Sequence, residues 1–289
     1  MRLSHEQVEA YHRDGFLTVE SLFDAQEVRA LTEAYSRDSG RPGPQRIVED
    51  GGEAVRTVYA SHEREPLFAR VVRDSRLLVP VQQLLTECVY VYQFKVNAKP
   101  AFGGDKWSWH QDYPAWRIAD GLPAPRQVNI GVFLDEATEF NGPVVVVPGS
   151  HRAGVRRVDR RRGVRSAQHL DPDDIALTRE DLADLVRVHG MHALKGPAGS
   201  AVFFSPEIVH GSAPNISPVP RRLMIVTYND VANLPSWPGE PRPAYLVGRD
   251  TEPLRIAAGP LPGAVTERIR RLPPGGTLTT GAAGRRTVR

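Results

Sequence analysis

Three residues with the side chains of metal ligands stand out in this sequence. His110 and Asp112 form a His-x-Asp pair within residues 107–116, Trp-Ser-Trp-His-Gln-Asp-Tyr-Pro-Ala-Trp, and His210 follows a hundred residues later in Val-His-Gly-Ser. Two imidazoles and one carboxylate on one face of an octahedral metal, with the other positions open, suit non-haem Fe(II) centres that react with O2. The three residues therefore predict an iron site, and with it an oxidising enzyme acting on a small molecule.

The spacing of the pair predicts how this site is built. If residues 110–112 lie on a strand, alternate side chains point to the same side, so that His110 and Asp112 face one metal while Gln111 faces away. His210 must then come from a second strand. Asp112 also bears on the reaction, because an iron halogenase of related design needs a small residue there to admit halide. The carboxylate favours oxygen insertion or another oxidation.

An enzyme of this kind also needs an anchor for an electron-donating co-substrate. Arg221 follows His210 by eleven residues, and its planar guanidinium offers a fork that binds a carboxylate through two hydrogen bonds. Arg222 is the alternative. Neighbours on a strand face opposite sides, and Arg221 is the one in phase with Leu223, Ile225 and Thr227. We therefore expect Arg221 to point inward.

The composition is that of an ordinary globular protein. Hydrophobic residues make up 40% of the 289 positions and charged residues 25%, which excludes a fibre or a disordered chain. The formal net charge is +3, but seven arginines cluster between residues 152 and 165. They could form a nucleic-acid patch or a solvated loop near a site for small anions. Because no aromatic residues alternate with them for base stacking, we favour the loop and predict no nucleic-acid partner.

Cys88 is the single cysteine of the sequence. No intrachain disulfide is possible, which indicates a reducing compartment, and we expect a buried thiol rather than a nucleophile. The first residues lack the apolar core of a signal peptide, and no run approaches the roughly eighteen apolar residues of a membrane span. We predict a cytoplasmic protein without membrane contact, and the sequence leaves the oligomeric state open.

The first 88 residues are predicted to be mostly helical. Ser4 as N-cap, Gln7 at the third helical position and Gly15 as terminator describe a capped first helix. Apolar residues three and four apart predict two further helices, the last of them interrupted at Pro80. The predicted helices cover about residues 4–15, 24–35 and 66–85, with a short strand over 16–19.

From Val89 the pattern changes to short β-branched runs separated by Gly, Pro and Asn. The predicted strands are residues 89–97, 127–134, 144–147, 201–204 and 221–228. Such a series, with turn signals between the strands, predicts a β-sandwich or barrel, and the helices that precede it are expected to pack outside it.

No repeat or linker divides the chain, so we predict a single domain over residues 1–289. Its parts are a helical flank (1–88), a β core (89–230) and a C-terminal segment that wraps the surface (231–289). Residues 152–194, with a helix over about 178–188, are predicted as an insertion in the core. The arginine-rich part of this insertion is a candidate lid.

Several short motifs occur in a fixed order along the chain. They include Leu-Ser-x-Glu-Gln at 3–7, Asp-Gly-Phe at 14–16, Trp-His-Gln-Asp at 109–112, Asp-Gly-Leu-Pro at 120–123, Pro-Gly-Ser-His at 148–151 and His-Gly-Ser-Ala-Pro-Asn at 210–215. With these motifs the chain resembles the phytanoyl-CoA dioxygenase-like family of Fe(II)- and 2-oxoglutarate-dependent oxygenases, and within it the ectoine hydroxylases. The resemblance implies a double-stranded β-helix, a cupin-like jelly roll that is mainly β with flanking helices. It also implies Fe(II) on His110, Asp112 and His210, with 2-oxoglutarate and O2 as co-substrates.

The resemblance further assigns a pocket for 2-oxoglutarate. Arg221 would pair with the distal carboxylate of 2-oxoglutarate. Gln93, Asn97 and Lys99, which lie in one matching segment, are candidates for the same pocket.

A substrate pocket follows from the same comparison of motifs. Trp116, six residues after His110, matches an aromatic wall of the ectoine-hydroxylase substrate site, and Phe204 and Ser212 match other lining positions. Trp107 is expected either to pack in the core or to contact the substrate.

The chain departs from the ectoine-hydroxylase pattern close to the ligands. Ectoine hydroxylases look like Phe-x-Trp-His-Ser-Asp-Phe-Glu-Thr-Trp-His at the segment that starts with Trp107, and an aromatic residue expected four positions after Arg221 is Ile225 here. An aromatic cage holds a cationic ring by cation–π attraction. The loss of one wall and the presence of Arg117 argue against ectoine. We expect an amino acid, an amino-acid-derived ring or a natural-product intermediate, with Arg117 meeting an anionic group.

The predicted reaction is hydroxylation of an unactivated C–H bond, coupled to conversion of 2-oxoglutarate to succinate. The same cofactors also support desaturation, cyclisation or epimerisation, and the sequence does not fix which. Two other classes stay open. A Zn(II) hydrolase could use the three ligands and a water but has no use for a buried Arg221, and a metal-free binding module leaves the ligand set unexplained.

Overall fold

Four α-helices precede the first long strand, one more than the three that the sequence pattern predicts. The computed structural model describes residues 1–154 and 176–261. The α-helices within these residues are α1 (His5–Asp14), α2 (Ala25–Ser39), α3 (Pro66–Val71), α4 (Ser75–Leu84), α5 (Asp112–Asp120) and α6 (Arg179–His189). Two short 3-10 helices cover Ser61–Glu63 and Ser150–Ala153.

Capping side chains set the helix ends. The Ser4 and Gln7 side chains form the predicted capping box, and Gly15 ends α1 in the left-handed region with φ 83°, where glycine carries no steric penalty. The prediction of one helix interrupted at Pro80 is wrong. The chain breaks earlier because Asp74 accepts a hydrogen bond from the Arg76 amide and begins α4 as its N-cap, so that Pro80 lies inside α4.

The strands form two antiparallel sheets. They are β1 (Phe16–Val19), β2 (Arg46–Val48), β3 (Val55–Tyr59), β4 (Val89–Lys99), β5 (Trp107–His110), β6 (Gln127–Phe133), β7 (Val145–Val146), β8 (His192–Ala193), β9 (Ala201–Phe204), β10 (His210–Ser212) and β11 (Arg221–Asp230). The major sheet has the order β1-β9-β6-β11-β4-β3-β2 and the minor sheet the order β5-β10-β7-β8. The two sheets make a double-stranded β-helix, which confirms the predicted fold class.

Alternation along the long strands separates the core from the space between the sheets. On β4, Phe94 and Val96 pack into the core cluster that contains helical residues such as Leu31, whereas Gln93 and Lys95 face a cavity between the sheets. The alternation on β11 is the same. Successive side chains of a strand point to opposite faces, so the helices cover one face of the major sheet and a pocket forms on the other.

The structure differs from the predicted helical flank and from the predicted insertion. The flank before residue 89 is not only helical, because β1, β2 and β3 join the edges of the major sheet. The end of the predicted insertion belongs to the minor sheet, as β8. The strand β1 matches the one predicted over 16–19, whereas β2, β3 and β8 carry too little periodicity to be recognised.

The remaining predictions concern less regular segments. The helix predicted in the insertion is α6, with Thr178 as its N-cap, while most of the arginine cluster lies outside the described residues. The segment after β11 follows the surface of the sheet, since Gly248 and Leu254 donate backbone hydrogen bonds to Tyr92 and Val89. Cys88 is exposed rather than buried.

Among the described helices, none combines the length and the apolar character needed to cross a membrane.

Candidate metal centre and substrate pocket

Two adjacent strands of the minor sheet bring the two histidines together. His110 ends β5 and His210 begins β10, and the two residues are direct partners in the antiparallel register. β10 lies between β5 and β7, where His210 also faces Val146. The expectation that His210 comes from a second strand is confirmed.

Asp112 reaches the site by a different route from the one predicted. The strand ends at His110, Gln111 is the N-cap residue with extended backbone, and Asp112 is the first residue of α5. The interpretation of residues 110–112 as one strand was therefore wrong. An acidic residue in the first helical turn is favoured by the helix dipole, and Pro114 in that turn with Gly121 at the end was the signal for a helix.

The three side chains converge on one point. Their ligand atoms lie within 4.8 Å of one another, and all three residues are buried. Nε2 of His110 is 3.6 Å from Oδ1 of Asp112, and Nε2 of His210 is 3.9 Å from Oδ2. Nδ1 of each imidazole lies against the carbonyl oxygen of the residue two positions earlier, Ser108 at 2.6 Å and Ile208 at 3.0 Å. Nδ1 therefore carries the proton, and the Nε2 lone pair faces the centre.

A chain of hydrogen bonds from the major sheet orients the carboxylate. The Asn129 amide donates to Oδ2 of Asp112 over 2.8 Å, and the Thr227 hydroxyl donates to Oδ1 of Asn129 over 2.7 Å. Asn129 and Thr227 are fully buried partners on β6 and β11. Oδ1 of Asp112 is thereby left for a metal, in the support pattern expected around a metal-binding carboxylate.

The electrostatics of the three residues suit a cation. Burial opposes ionisation of Asp112, but His210, His110 and Lys95 outweigh it and hold the pKa of its carboxyl well below the usual range. Burial and the neighbouring His110 lower the pKa of His210 to about 4. The site therefore presents a carboxylate and a neutral imidazole, the protonation states that bind a metal.

A cavity opens in front of these ligands. It encloses about 770 Å³ of empty space, part of which is open to solvent. Arg221 lines it from the first position of β11, in phase with Leu223 and Ile225 as predicted, whereas Arg222 points away and pairs with Asp135.

Arg221 is held ready for an anion. Its Nε and Nη2 donate to the carbonyl oxygen of Gly142 over 3.1 and 2.8 Å, which leaves three of the five guanidinium N–H groups. Burial lowers the pKa of Arg221 to about 10, and no carboxylate in the described part of the chain forms an ion pair with it. A buried cation without a counter-charge is costly, so the pocket favours a ligand that brings one.

Of the three residues proposed to accompany Arg221, two lie at the cavity and one does not. Gln93 and Asn97 line the cavity. Lys99 does not: its ammonium group donates to the carbonyl oxygens of Asp105 and Ala213. Lys99 thus braces the two loops beside the pocket rather than facing it.

The residues predicted to contact the substrate also line the cavity with one exception. The cavity is lined by Trp107, Trp116, Phe204, Ser212 and Ile225. Arg117 is not among the lining residues and is exposed, because consecutive residues of a helix lie about 100° apart around its axis and Trp116 takes the inward position.

Three polar residues that line the cavity were not predicted from the sequence: Tyr59, Lys95 and Arg242. Lys95 looked like an ordinary strand lysine, although its place between Gln93 and Asn97 in the alternation was a signal. Arg242 comes from the irregular segment after β11, where no periodicity marks a side chain as inward. Asp120 at the end of α5 holds its guanidinium by two hydrogen bonds.

A double-stranded β-helix with two histidines and one carboxylate between its sheets, and open space in front of them, defines the class of non-haem iron oxygenases. The chain belongs to the phytanoyl-CoA dioxygenase (PhyH) family, whose model matches residues 11–223.

Individual relatives are similar to this chain over most of its length. L-proline trans-4-hydroxylase from Streptomyces griseoviridis is 40% identical over 255 residues, which cover 84% of this chain and 92% of that protein. Ectoine dioxygenase from Bordetella bronchiseptica is 36% identical over 260 residues, covering 86% and 83%. The crystal structure of EctD from S. alaskensis with 2-oxoglutarate and 5-hydroxyectoine has a TM-score of 0.77 at 33% identity, covering 90% of this chain and 89% of that one. The chain is an Fe(II)- and 2-oxoglutarate-dependent dioxygenase.

Proposed function

We propose that this enzyme hydroxylates a ring carbon of a small cyclic α-amino acid, L-proline or a compound of closely similar shape. In this proposal His110, Asp112 and His210 hold Fe(II), and Arg221 binds the distal carboxylate of 2-oxoglutarate. Lys95 and Arg242 bind the carboxylate of the amino acid.

The distribution of cations around the pocket carries the proposal. Arg221 lines the cavity by itself, because the ammonium of the nearby Lys99 is bound by two backbone carbonyls. Lys95 and Arg242 line the cavity as a second group, in which burial lowers the pKa of Lys95 and Arg242 lowers it further. Two separate positions for cations suit two carboxylates, one from the co-substrate and one from the substrate.

Lys95 and Arg242 both keep hydrogen-bond donors that no residue of the described chain uses. Lys95 makes no hydrogen bond or ion pair within the described residues, and the residue is half-buried and lines the cavity. Arg242 gives Nε and Nη2 to Asp120, which leaves Nη1. A charge-assisted hydrogen bond to a carboxylate contributes about 1.5–3 kcal/mol, so such an anchor would dominate the binding of a substrate with few polar groups.

The walls of the pocket suit the apolar part of a small ring. Trp116 is fixed by an edge contact with Tyr92, with ring centroids 5.2 Å apart, and Phe204 packs edge-on against His210 at 5.5 Å. Aromatic faces bind methylene groups and attract a ring ammonium by cation–π interaction. The buried Ser212 hydroxyl, which has no hydrogen-bond partner in the described residues, is available to a ligand oxygen.

Fe(II) held by these ligands would supply the oxidation common to the class, in which a C–H bond and O2 give C–OH while 2-oxoglutarate is converted to succinate and CO2. The residues of this chain orient both organic molecules and exclude water. Positioning of this kind decides which carbon reacts. The cations placed on one side of the ring would therefore set the regiochemistry.

Substrate turnover and matched variants test the proposal. The enzyme is incubated with Fe(II), 2-oxoglutarate and a panel containing L-proline, L-pipecolate, ectoine and a linear amino acid, and succinate and product mass are measured. We expect one added oxygen on the cyclic α-amino acids with equimolar succinate. Ectoine as the single substrate would replace this proposal with that of the ectoine relatives.

The anchor is tested by comparing Lys95→Met with Lys106→Met, an exposed lysine outside the cavity. Loss of one charge-assisted hydrogen bond predicts a rise in the substrate KM of about 10- to 100-fold for Lys95→Met, with the KM for 2-oxoglutarate within about threefold of wild type. A rise in the KM for 2-oxoglutarate alone would assign Lys95 to the co-substrate and contradict the proposed anchor.

A further inference from the structure

Arg56 lies beside the pocket without lining the cavity, and it contacts three other residues of the chain. Arg56 on β3 donates from Nη1 to Oε2 of Glu49 and from Nη2 to the carbonyl oxygen of Lys106, both over 2.9 Å. Its guanidinium also lies over the Trp107 ring, 4.2 Å from the centroid. Trp107 lines the cavity, whereas Arg56 does not.

We propose that Arg56 is a positioning residue for the substrate: it holds the Trp107 indole in place as a wall of the pocket and so sets the width available to the substrate ring. This inference rests on the proposed function, because a wall of fixed position matters only for a substrate that packs against it.

The charge of Arg56 fits a steric role rather than anion binding. Glu49 neutralises it, with both side chains only about one-seventh exposed at 15%. The cations that line the pocket are Lys95, Arg221 and Arg242 instead. What Arg56 adds is a planar guanidinium over an aromatic ring, which a lysine would not supply.

The backbone around Trp107 is already fixed, so the stack controls the side chain. Lys99 donates to the carbonyl oxygen of Asp105, Glu49 accepts from the Asp105 amide, and Arg56 holds the next carbonyl. Trp107 itself pairs with Ser212 across the minor sheet. The remaining freedom lies in the indole torsions, and the guanidinium on one face restricts them.

The test is a double-mutant cycle on the intact enzyme, with Arg56→Met, Trp107→Ala and the combined variant. A cation–π contact contributes about 0.5–1 kcal/mol at exposed sites, which predicts a two- to fivefold rise in the substrate KM for Arg56→Met. More 2-oxoglutarate should also be consumed per product formed, while its own KM stays within about twofold. In the Trp107→Ala background Arg56→Met should add nothing. Arg56→Lys should restore less than half of the effect.

Two further measurements distinguish a failure of the proposed function from a failure of the role of Arg56. Arg187→Met removes an exposed arginine that pairs with Asp184 and should leave every parameter unchanged. Acrylamide quenching of the Trp107 fluorescence, isolated by difference from Trp107→Phe, should increase in Arg56→Met whether or not a substrate is known. Failure of wild type to turn over any cyclic amino acid would count against the proposed function alone. Unchanged quenching, or an equal KM effect of Arg56→Met in the presence and absence of Trp107, would overturn the role of Arg56.

Discussion

Replacing Arg221 tests the assignment of the co-substrate site. The variant Arg221→Met has a side chain of similar length but without charge. Truncating one partner of a buried charge pair costs about 2–5 kcal/mol, and every 1.4 kcal/mol is about tenfold in affinity. The KM for 2-oxoglutarate should therefore rise by about 30- to 3,000-fold, because three guanidinium N–H groups are left to the ligand and all three are lost.

The same substitution should not destabilise the protein when 2-oxoglutarate is absent. Arg221 is 3% exposed, its two internal hydrogen bonds go to the single carbonyl of Gly142, and its pKa is lowered to about 10 by burial. Replacing a buried, unpaired charge by an apolar group of similar volume is often neutral or stabilising. We expect a thermal midpoint equal to or above that of wild type.

The assay measures succinate formation against 2-oxoglutarate concentration at saturating substrate, alongside thermal unfolding of the ligand-free protein. Arg221→Lys is the matched control: it keeps the charge but loses the fork, and should raise the KM by about tenfold. Arg222→Met, which removes the outward neighbour, should leave the KM within about twofold. A KM for 2-oxoglutarate that Arg221→Met changes less than threefold, with normal folding, would refute the assignment.

Three further predictions follow from other parts of the structure. Asn129→Leu removes the hydrogen bond that orients Asp112, and Fe(II) affinity measured by titration should fall about 10- to 100-fold; unchanged affinity would contradict that role. Burial, with a contribution from Arg64, lowers the pKa of His62 to about 4, so the unfolded state binds more protons between pH 4 and 6.5 and stability rises with pH there. In His62→Phe the unfolding free energy should be less steep over this window, by at most about 1.4 kcal/mol per pH unit, and identical slopes would contradict the buried neutral state. Arg117→Ala should leave the substrate KM within about twofold, because the side chain lies outside the pocket; a tenfold rise would place it at the substrate.

The sequence predicted those parts of the site that follow from alternation along a long strand. The phase of Leu223 and Ile225 was enough to choose Arg221 over Arg222, because a buried strand of ten residues leaves no other register. Gln93 and Asn97, which were assigned from the family resemblance, line the cavity. The same assignment was wrong for Lys99, whose ammonium donates to two backbone carbonyl oxygens instead of facing the pocket.

Other features depend on contacts between distant segments. Asp112 belongs to a helix because the chain turns after His110, a step that the His-x-Asp spacing does not record. Arg242 faces the pocket because Asp120, about 120 residues earlier, holds it there, and an irregular segment gives no local sign of such a contact. Short strands such as β8 and β10 form because the other strands of the minor sheet provide hydrogen-bond partners, and propensity alone does not predict them.

The most direct test of the account is an incubation of the wild-type enzyme with Fe(II), 2-oxoglutarate, 18O2 and L-proline, followed by mass spectrometry and quantification of succinate. The account predicts a product that carries one 18O atom, formed in equal amount to succinate by the wild type and not by Asp112→Ala. Substrate conversion that requires neither O2 nor 2-oxoglutarate, or activity that survives in Asp112→Ala, would contradict it.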